Sequence, residues 1–335
     1  METGQVTVGI DVSKKKLDVA LLQNGKVKSK VLDNSPVGYR ELGAWLAKQH
    51  VVLADAHVCM ESTGIYSEPV ALGLQDLGLK VSLVNPACIK GFAQSENIRN
   101  KNDKLDAAVI ARYCAAMRPA LWQAPPLEQR QLRAWNERLG ALKDIRQQEL
   151  NRIEAHEFAG HAELVNHVRE HIHWLDEQIA RLEKDIDNHI DRHPDLKRDA
   201  ELLTSIPGLG RSTAAKVLGT VGDLRRFTSA KALAAFIGVT PKQRQSGTMR
   251  GRTTVSRMGH RDLRAALFLP AVVARRHNPL LRTFAERLLH NGMAPMAVIT
   301  AIARKLVHQM YGVIRSGQPF DPDYLRKRLA IQDGI

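Results

Sequence analysis

The chain has only three cysteines, Cys59, Cys88 and Cys114, too few and too widely spaced for a disulfide framework or for the Cys-x-x-Cys pairs of a structural zinc site. They read as buried free thiols in a reducing compartment. Aromatic residues make up 5% of the 335, which argues against both a base-stacking platform and aromatic membrane anchors. No run approaches ~18 uninterrupted apolar residues, and METGQVTVGID lacks a basic region followed by an apolar signal core. A cytoplasmic, soluble protein without a membrane partner is the expectation. Hydrophobic residues at 44% suffice for a large core or for two cores.

The second half also has little acidic charge. From residue 200 onward 22 Lys and Arg face 7 Asp and Glu, a net +15, whereas residues 1–199 carry 27 against 28, a net −1. Clustered positive charge of this size fits a polyanion, most simply nucleic acid, whose phosphates exchange their counterions for Lys and Arg.

Along the chain, Val6 to Asp11 (VTVGID), Lys16 to Leu22 and Val27 to Val31 read as three strands. Ser35 to Gln49 reads as a helix, Val58 to Glu61 as a strand, Tyr66 to Leu77 as a helix and Lys80 to Val84 as a strand stopped by Asn85-Pro86. With NKNDKLDAAVIA supplying the last helix, the order β-β-β-α-β-α-β-α predicts a mixed sheet covered by helices. Residues 127–193 are charged and nearly free of Gly and Pro. Leu164, Val168, Ile172, Leu175, Ile179, Leu182, Ile186 and Ile190 recur at steps of four and three, a coiled-coil seam suited to a helical arm or a dimerisation element. His167, His171 and His173 on that stretch read as a solvated flank rather than a metal site. Further on, Ile206-Pro207-Gly208-Leu209-Gly210 between two helical patterns has the form of a helix-hairpin-helix turn, in which Gly208 and Gly210 let backbone amides approach a phosphate. Residues 241–264 carry seven Lys and Arg against one acid and read as a loop entering a helix near Gly259. The rest is mostly helical, with Met296-Ala297-Val298-Ile299 completing the core. The boundaries are 1–125, 126–199 and 200–335, an α/β domain followed by all-α parts.

Four acids sit where elements begin or end. Asp11 closes the first strand and Glu61 the fourth, while Asp103 and Asp106 open a helix. Asp103 and Asp106 are explained as helix punctuation, since carboxylates favour a helix N-terminus. Their i, i+3 spacing also puts them on one helix face. If the first and fourth strands are adjacent, all four converge on one cleft. Such carboxylates repel unless a hard cation such as Mg²⁺, with Mn²⁺ as the alternative, neutralises them. One or two such ions can stabilise the attacking and leaving oxygens of a phosphodiester.

GIDVSKKKLDVAL, MESTGIY and KNDKLDAAVIARYC, followed by LLTSIPGLGRSTAAKVLGTVGDLRRFTSAKALAAFIGVTPKQRQSGT, together resemble the RuvC-like DEDD transposases of bacterial insertion sequences. That family includes pilin-gene invertases and bridge-RNA-guided recombinases. The resemblance implies an RNase H/RuvC-like N-terminal domain, a coiled-coil arm and a basic, mainly helical transposase domain, in a bacterial protein associated with the nucleoid when active. It implies Asp11, Glu61, Asp103 and Asp106 as metal-binding catalytic acids and Ser246 as a nucleophile that forms a phosphoserine-DNA intermediate. Lys242, Arg244, Arg250 and Arg252 flank that serine, able to lower its barrier by positive potential and to clamp the phosphate. It implies donor and target DNA, a noncoding guide RNA, and a dimer or dimer of dimers as partners. Gly259-His260 departs from the Gly-Asn expected there. Three other readings compete: a RuvC-like junction nuclease without Ser246 chemistry, a sugar-kinase or actin-like ATPase for which no second phosphate hairpin is found, and a catalytically silent nucleic-acid scaffold.

Overall fold

The computed structural model describes residues 6–62, 64–96, 103–242, 245–246, 249–250, 254–256 and 258–323, and the chain divides into two compact units, Met1–Ala124 and Pro125–Ile335. Among the described residues no helix is long and apolar enough to cross a membrane.

The first unit is a five-stranded mixed sheet with helices on both faces. Its strands are β1 (Thr7–Val12), β2 (Lys16–Gln23), β3 (Lys26–Asp33), β4 (His57–Glu61) and β5 (Lys80–Val84), in the order β3-β2-β1-β4-β5. β1 runs antiparallel to β2 and β2 to β3, while β4 lies parallel to β1 and β5 parallel to β4. The first and fourth strands are therefore adjacent, as expected. Helix α1 (Pro36–Lys48) starts at Ser35, whose Oγ accepts the Gly38 N–H at 3.2 Å. Together with α2 (Ser67–Asp76) it packs on the face formed by Val8, Ile10, Val58, Met60 and Val81, through Leu42, Leu46, Val70 and Leu74. Burying each such side chain stabilises the fold by roughly 1.5–3 kcal/mol before chain entropy is counted.

Asn85-Pro86 begins a helix rather than merely stopping a strand: the Asn85 Oδ1 accepts the Ala87 N–H at 2.9 Å and α3 (Pro86–Ser95) follows. Proline at the first helical position costs no hydrogen bond. The opposite face of the sheet carries α4 (Asp103–Met117), against which α3 packs by Ile89 and by Phe92 edge-on to Tyr113. Cys59 and Cys114 are buried in this layer as expected, whereas Cys88 is exposed on α3.

The second unit opens with two long antiparallel helices, α5 (Leu127–Phe158) and α6 (Ala162–Arg192). Lys143 with Glu183 at 2.7 Å, Arg146 with Asp176, and Glu157 with Arg169 at 2.8 Å form successive rungs between them. These exposed pairs contribute roughly 0.2–1 kcal/mol each at most, so the apolar stripe decides the packing. That stripe starts at Val165, with Ile172, Leu175, Ile179, Ile186 and Ile190 buried; Leu164, expected in the seam, is 48% exposed. His171 pairs with the buried Glu149 at 3.2 Å and His173 with Glu177 at 3.4 Å.

There follow α7 (Pro194–Thr204), α8 (Arg211–Val221), α9 (Ala230–Ile237), the two-residue strands β6 (Pro241–Lys242), β7 (Gln245–Ser246), β8 (Met249–Arg250) and β9 (Thr254–Val255), and then α10 (Arg261–Ala266), α11 (Phe268–His277), α12 (Pro279–His290) and α13 (Pro295–Ser316). The core of this unit is built around α13, whose Ile302, Leu306, Val307 and Met310 are fully buried. Val298 and Ile299 join it as expected, but Met296 is 64% exposed because it lies in the first turn of α13, before the helix enters the core. Asp199, 8% exposed, accepts two hydrogen bonds from the Arg225 guanidinium at 2.7 and 2.8 Å, tying α7 to the turn after α8. Fully buried Asn278 donates to Gln309 Oε1 at 3.0 Å and accepts the Leu281 N–H at 3.2 Å, fixing the α11–α12 corner to α13.

His308 on α13 is held below its ordinary value of 6.5 by burial, with the charges of Arg304, Lys305 and Lys231 acting in the same direction. Below pH 6.5 the unfolded chain takes up a proton that the folded ring resists, so this group's contribution is present above 6.5 and lost as the pH falls. Urea midpoints should accordingly drop between pH 7.5 and 5.5, and His308→Gln should reduce that drop.

Candidate active-site elements

The carboxylates of the first unit are positioned by strand register. In the parallel β1–β4 ladder Ile10 pairs with Met60, so the next residues, Asp11 and Glu61, stand side by side at the ends of the central strands. Alternation along the strands puts Thr7, Gly9 and Asp11 on one face together with His57, Cys59 and Glu61. This face meets α4. The Thr7 hydroxyl donates to the Ala111 carbonyl at 3.1 Å, and a Cβ on Gly9 would overlap the Ala107 carbonyl oxygen and the Ala111 amide. Moving along β1 from Thr7 to Gly9 therefore moves back along α4 from Ala111 to Ala107. Going on toward Asp11, β1 thus runs toward the N-terminal end of α4, the end that carries Asp103 and Asp106.

Asp11, Glu61 and Asp106 are half-buried, and each has an interaction within the protein; the Asp103 side chain lies outside the described residues. Among the described residues no three His, Cys, Asp or Glu side chains converge closely enough to hold an ion. The described acids share a face and an end of the sheet without forming a closed ligand set. Asp103 is the first helical residue of α4 rather than a residue preceding it.

The sequence reading passed over several residues of this face. Asp18 on β2 stands directly opposite Asp11, is buried, and pairs with Lys16 at 3.1 Å. Gly9 has a signal that was available: an isolated glycine inside a strand marks close backbone approach. Cys59 and Cys114 meet beneath the acids, where their mutual hydrogen bond, burial and the charge of Glu61 hold the Cys59 thiol protonated.

Ser246 lies in the second unit, in a segment expected to be a loop. The segment instead forms short antiparallel ladders, Pro241 with Val255 and Lys242 with Thr254, then Gln245 with Arg250 and Ser246 with Met249. Ser246 thus ends the outgoing strand of the inner pair. Lys242 is exposed; Arg250 is in β8, and Arg244 and Arg252 lie outside the described residues.

The base of this ribbon is fixed. Gly238 ends α9 at φ 85°, Gly259 has φ 137°, and a Cβ on Gly259 would lie 2.5 Å from the Gly238 Cα. The Ser256 amide donates to the Thr240 carbonyl at 2.8 Å and the His260 amide to the Phe236 carbonyl at 2.9 Å. His260 precedes α10 without a side-chain cap, whereas the asparagine expected there is a good cap. In the turn before α8, Gly208 packs against Ala274 of α11, to which a Cβ would come within 2.6 Å; Gly210 faces open space at the α8 N-terminus.

Sequence comparisons agree with this two-part arrangement. A DEDD transposase model of the IS110 type matches residues 8–156, and the model described as the transposase IS116/IS110/IS902 family matches residues 200–286. The pilin gene-inverting proteins of Moraxella bovis and Moraxella lacunata are each 34% identical over 316 residues, spanning 94% of this chain and 97% of theirs. The transposase for insertion sequence element IS1111A of Coxiella burnetii is 27% identical over 229 residues, 60% of this chain and 61% of that one. Among solved structures, T. thermophilus RuvC in complex with a Holliday junction substrate covers 34% of this chain and 96% of its own at 14% identity and a TM-score of 0.26, too slight a likeness to carry an argument. The chain belongs to the IS116/IS110/IS902 family of DNA transposases.

Gly9→Ala tests the close approach of α4 to β1. Overpacking of a strand against a helix backbone should cost about 1–3 kcal/mol or more, read as a lowered urea midpoint of the first unit. The same change at Gly91, where added Cβ atoms meet nothing, should leave that midpoint nearly unchanged.

Proposed function

We propose that the protein cuts and rejoins DNA strands through a phosphoserine-DNA intermediate, using Ser246 and divalent metal held by Asp11, Glu61, Asp103 and Asp106. The observation that supports this reading is the β1–β4 register, in which Asp11 and Glu61 follow the Ile10–Met60 pair, together with the close approach of α4 to Gly9. The donor set suits Mg²⁺ or Mn²⁺, since all four groups are hard carboxylate oxygens. When bound, the metal supplies Lewis-acid stabilisation of charge on the phosphodiester oxygens. A helix N-terminus is a favourable place for carboxylates such as those of Asp103 and Asp106.

Ser246 attacks phosphorus. Its Oγ–P bond forms as the bond from phosphorus to one sugar oxygen breaks, the hydroxyl proton leaves the serine, and the released sugar oxygen takes up a proton. The phosphodiester energy stays in the serine ester, so a second sugar hydroxyl can reverse the step and reseal the strand without ATP. Lys242, Arg244, Arg250 and Arg252 supply positive charge along this segment, with the arginine forks suited to two phosphate oxygens. Gly210 leaves the α8 N-terminus open to a backbone phosphate, with Gly208 in the same turn.

The reading extends to inversion or transposition of a DNA segment, with a structured noncoding RNA that selects donor and target DNA by pairing, in a dimer or dimer of dimers. Its support is the family membership and the net charge of +15 after residue 200.

Strand cleavage on a cognate DNA substrate provides the test. Ser246→Ala should abolish the covalent protein-DNA adduct detected on denaturing gels; undiminished cleavage by this variant would identify a junction-nuclease mechanism. Asp11→Asn, Glu61→Gln and Asp106→Asn should each slow cleavage by about 10²-fold or more. Chelation should stop the reaction, with Mg²⁺ or Mn²⁺ restoring it. A discrete RNA encoded beside the gene should copurify; recovery of random cellular RNA alone would refute guide dependence.

A further inference from the structure

The corner between α11 and α12 encloses a cleft of about 430 Å³ that belongs neither to the carboxylate face nor to the Ser246 ribbon. Arg275 and Arg276 reach it from the last turn of α11 and Arg282 from the first turn of α12. Glu286 is the one acid in its lining, and Val272, Ala285 and Leu289 supply an apolar floor. Among the described residues none of these three guanidinium groups makes an ion pair, a side-chain hydrogen bond or a ring contact, whereas Arg211 and Arg225 of the same unit are each held by two carboxylates. Three like charges around one cleft raise the energy of the free protein and lower it when an anion is seated among them.

The corner itself is rigid. Asn278, the residue between the two helices, is fully buried and bonded to Gln309 and to the Leu281 amide, so the two helix ends that carry the arginines hold a set angle. Paired guanidinium donors match phosphate oxygens, and the fork is pre-organised for that geometry. The lining contains no aromatic ring on which an unpaired base would stack, which favours the backbone of a duplex over a single strand. The aliphatic floor suits the sugar face next to the phosphate.

We propose that the α11–α12 cleft is a separate duplex-DNA contact, seating a backbone phosphate between Arg275, Arg276 and Arg282. It rests on the family's activity on DNA and on neither the metal nor the serine reading, so a binding measurement tests it apart from catalysis. Fluorescence anisotropy of the full chain with a labelled DNA duplex, over a range of salt, is the experiment. Replacing all three arginines by glutamine should weaken binding about tenfold near physiological salt and should lower the slope of log K against log salt by about 0.9 for each phosphate that is no longer neutralised. Arg181→Gln, on the exposed side of α6, should change neither. Unchanged affinity and slope in the triple variant would overturn the proposal, as would a weakening confined to an RNA duplex of the same length. If circular dichroism shows that the triple variant does not fold, the exposed single change Arg276→Gln is read against the same outcomes.

Discussion

The absence of a side chain at Gly9 is the constraint on which the first unit depends. It lets the α4 backbone rest directly on the central strand, with Thr7 tethered to the Ala111 carbonyl beside it. A helix at that distance cannot slide without breaking this close fit, so the phase of α4 is tied to the register of β1. The position of Asp106 relative to Asp11 follows from that phase, and Glu61 follows from the β1–β4 pairing. Three elements distant in sequence meet because one position in VTVGID is empty.

The second unit reaches comparable rigidity by different means. Its fixed points are buried polar groups that are fully partnered, Asp199 with Arg225 and Asn278 with Gln309. Leaving either partner unpaired would cost far more than an exposed salt bridge contributes, so these pairs specify which helices meet. The Ser246 ribbon is anchored likewise at its base, where Gly238 and Gly259 come into backbone contact.

Much of the fold was legible because it rests on periodicity. Alternation marked the strands of the first unit, β5 to the residue, and Ser35-Pro36 marked the start of α1. What was missed had a competing local signal. Asn85-Pro86 reads equally as a strand stop and as a helix start, and the distinction lies in the Asn85 side chain accepting from Ala87. The short ladders of β6 to β9 were hidden because two-residue strands are too short to show alternation and the surrounding sequence is rich in Arg, Gln and Gly. Leu164 and Val165 are both apolar neighbours, so the sequence spacing left their facing undecided; packing against α5 buries Val165. The four acids were visible only as residues at element ends. Asp18, inside a strand and paired to Lys16, shows no such irregularity, and that of Gly9 is a missing side chain rather than a charge.

The excess positive charge lies from residue 200 onward, a net +15 against −1 for residues 1–199. A polyanion needs cations whose charge is not spent internally. Among the described residues Arg211 and Arg225 are consumed by Asp187, Asp191, Asp199 and Asp223, whereas Arg275, Arg276 and Arg282 make no ion pair. The first group holds helices together, its charge offset by its carboxylate partners. The second can exchange counterions with a phosphate backbone. Total positive charge alone therefore overstates the charge available to nucleic acid.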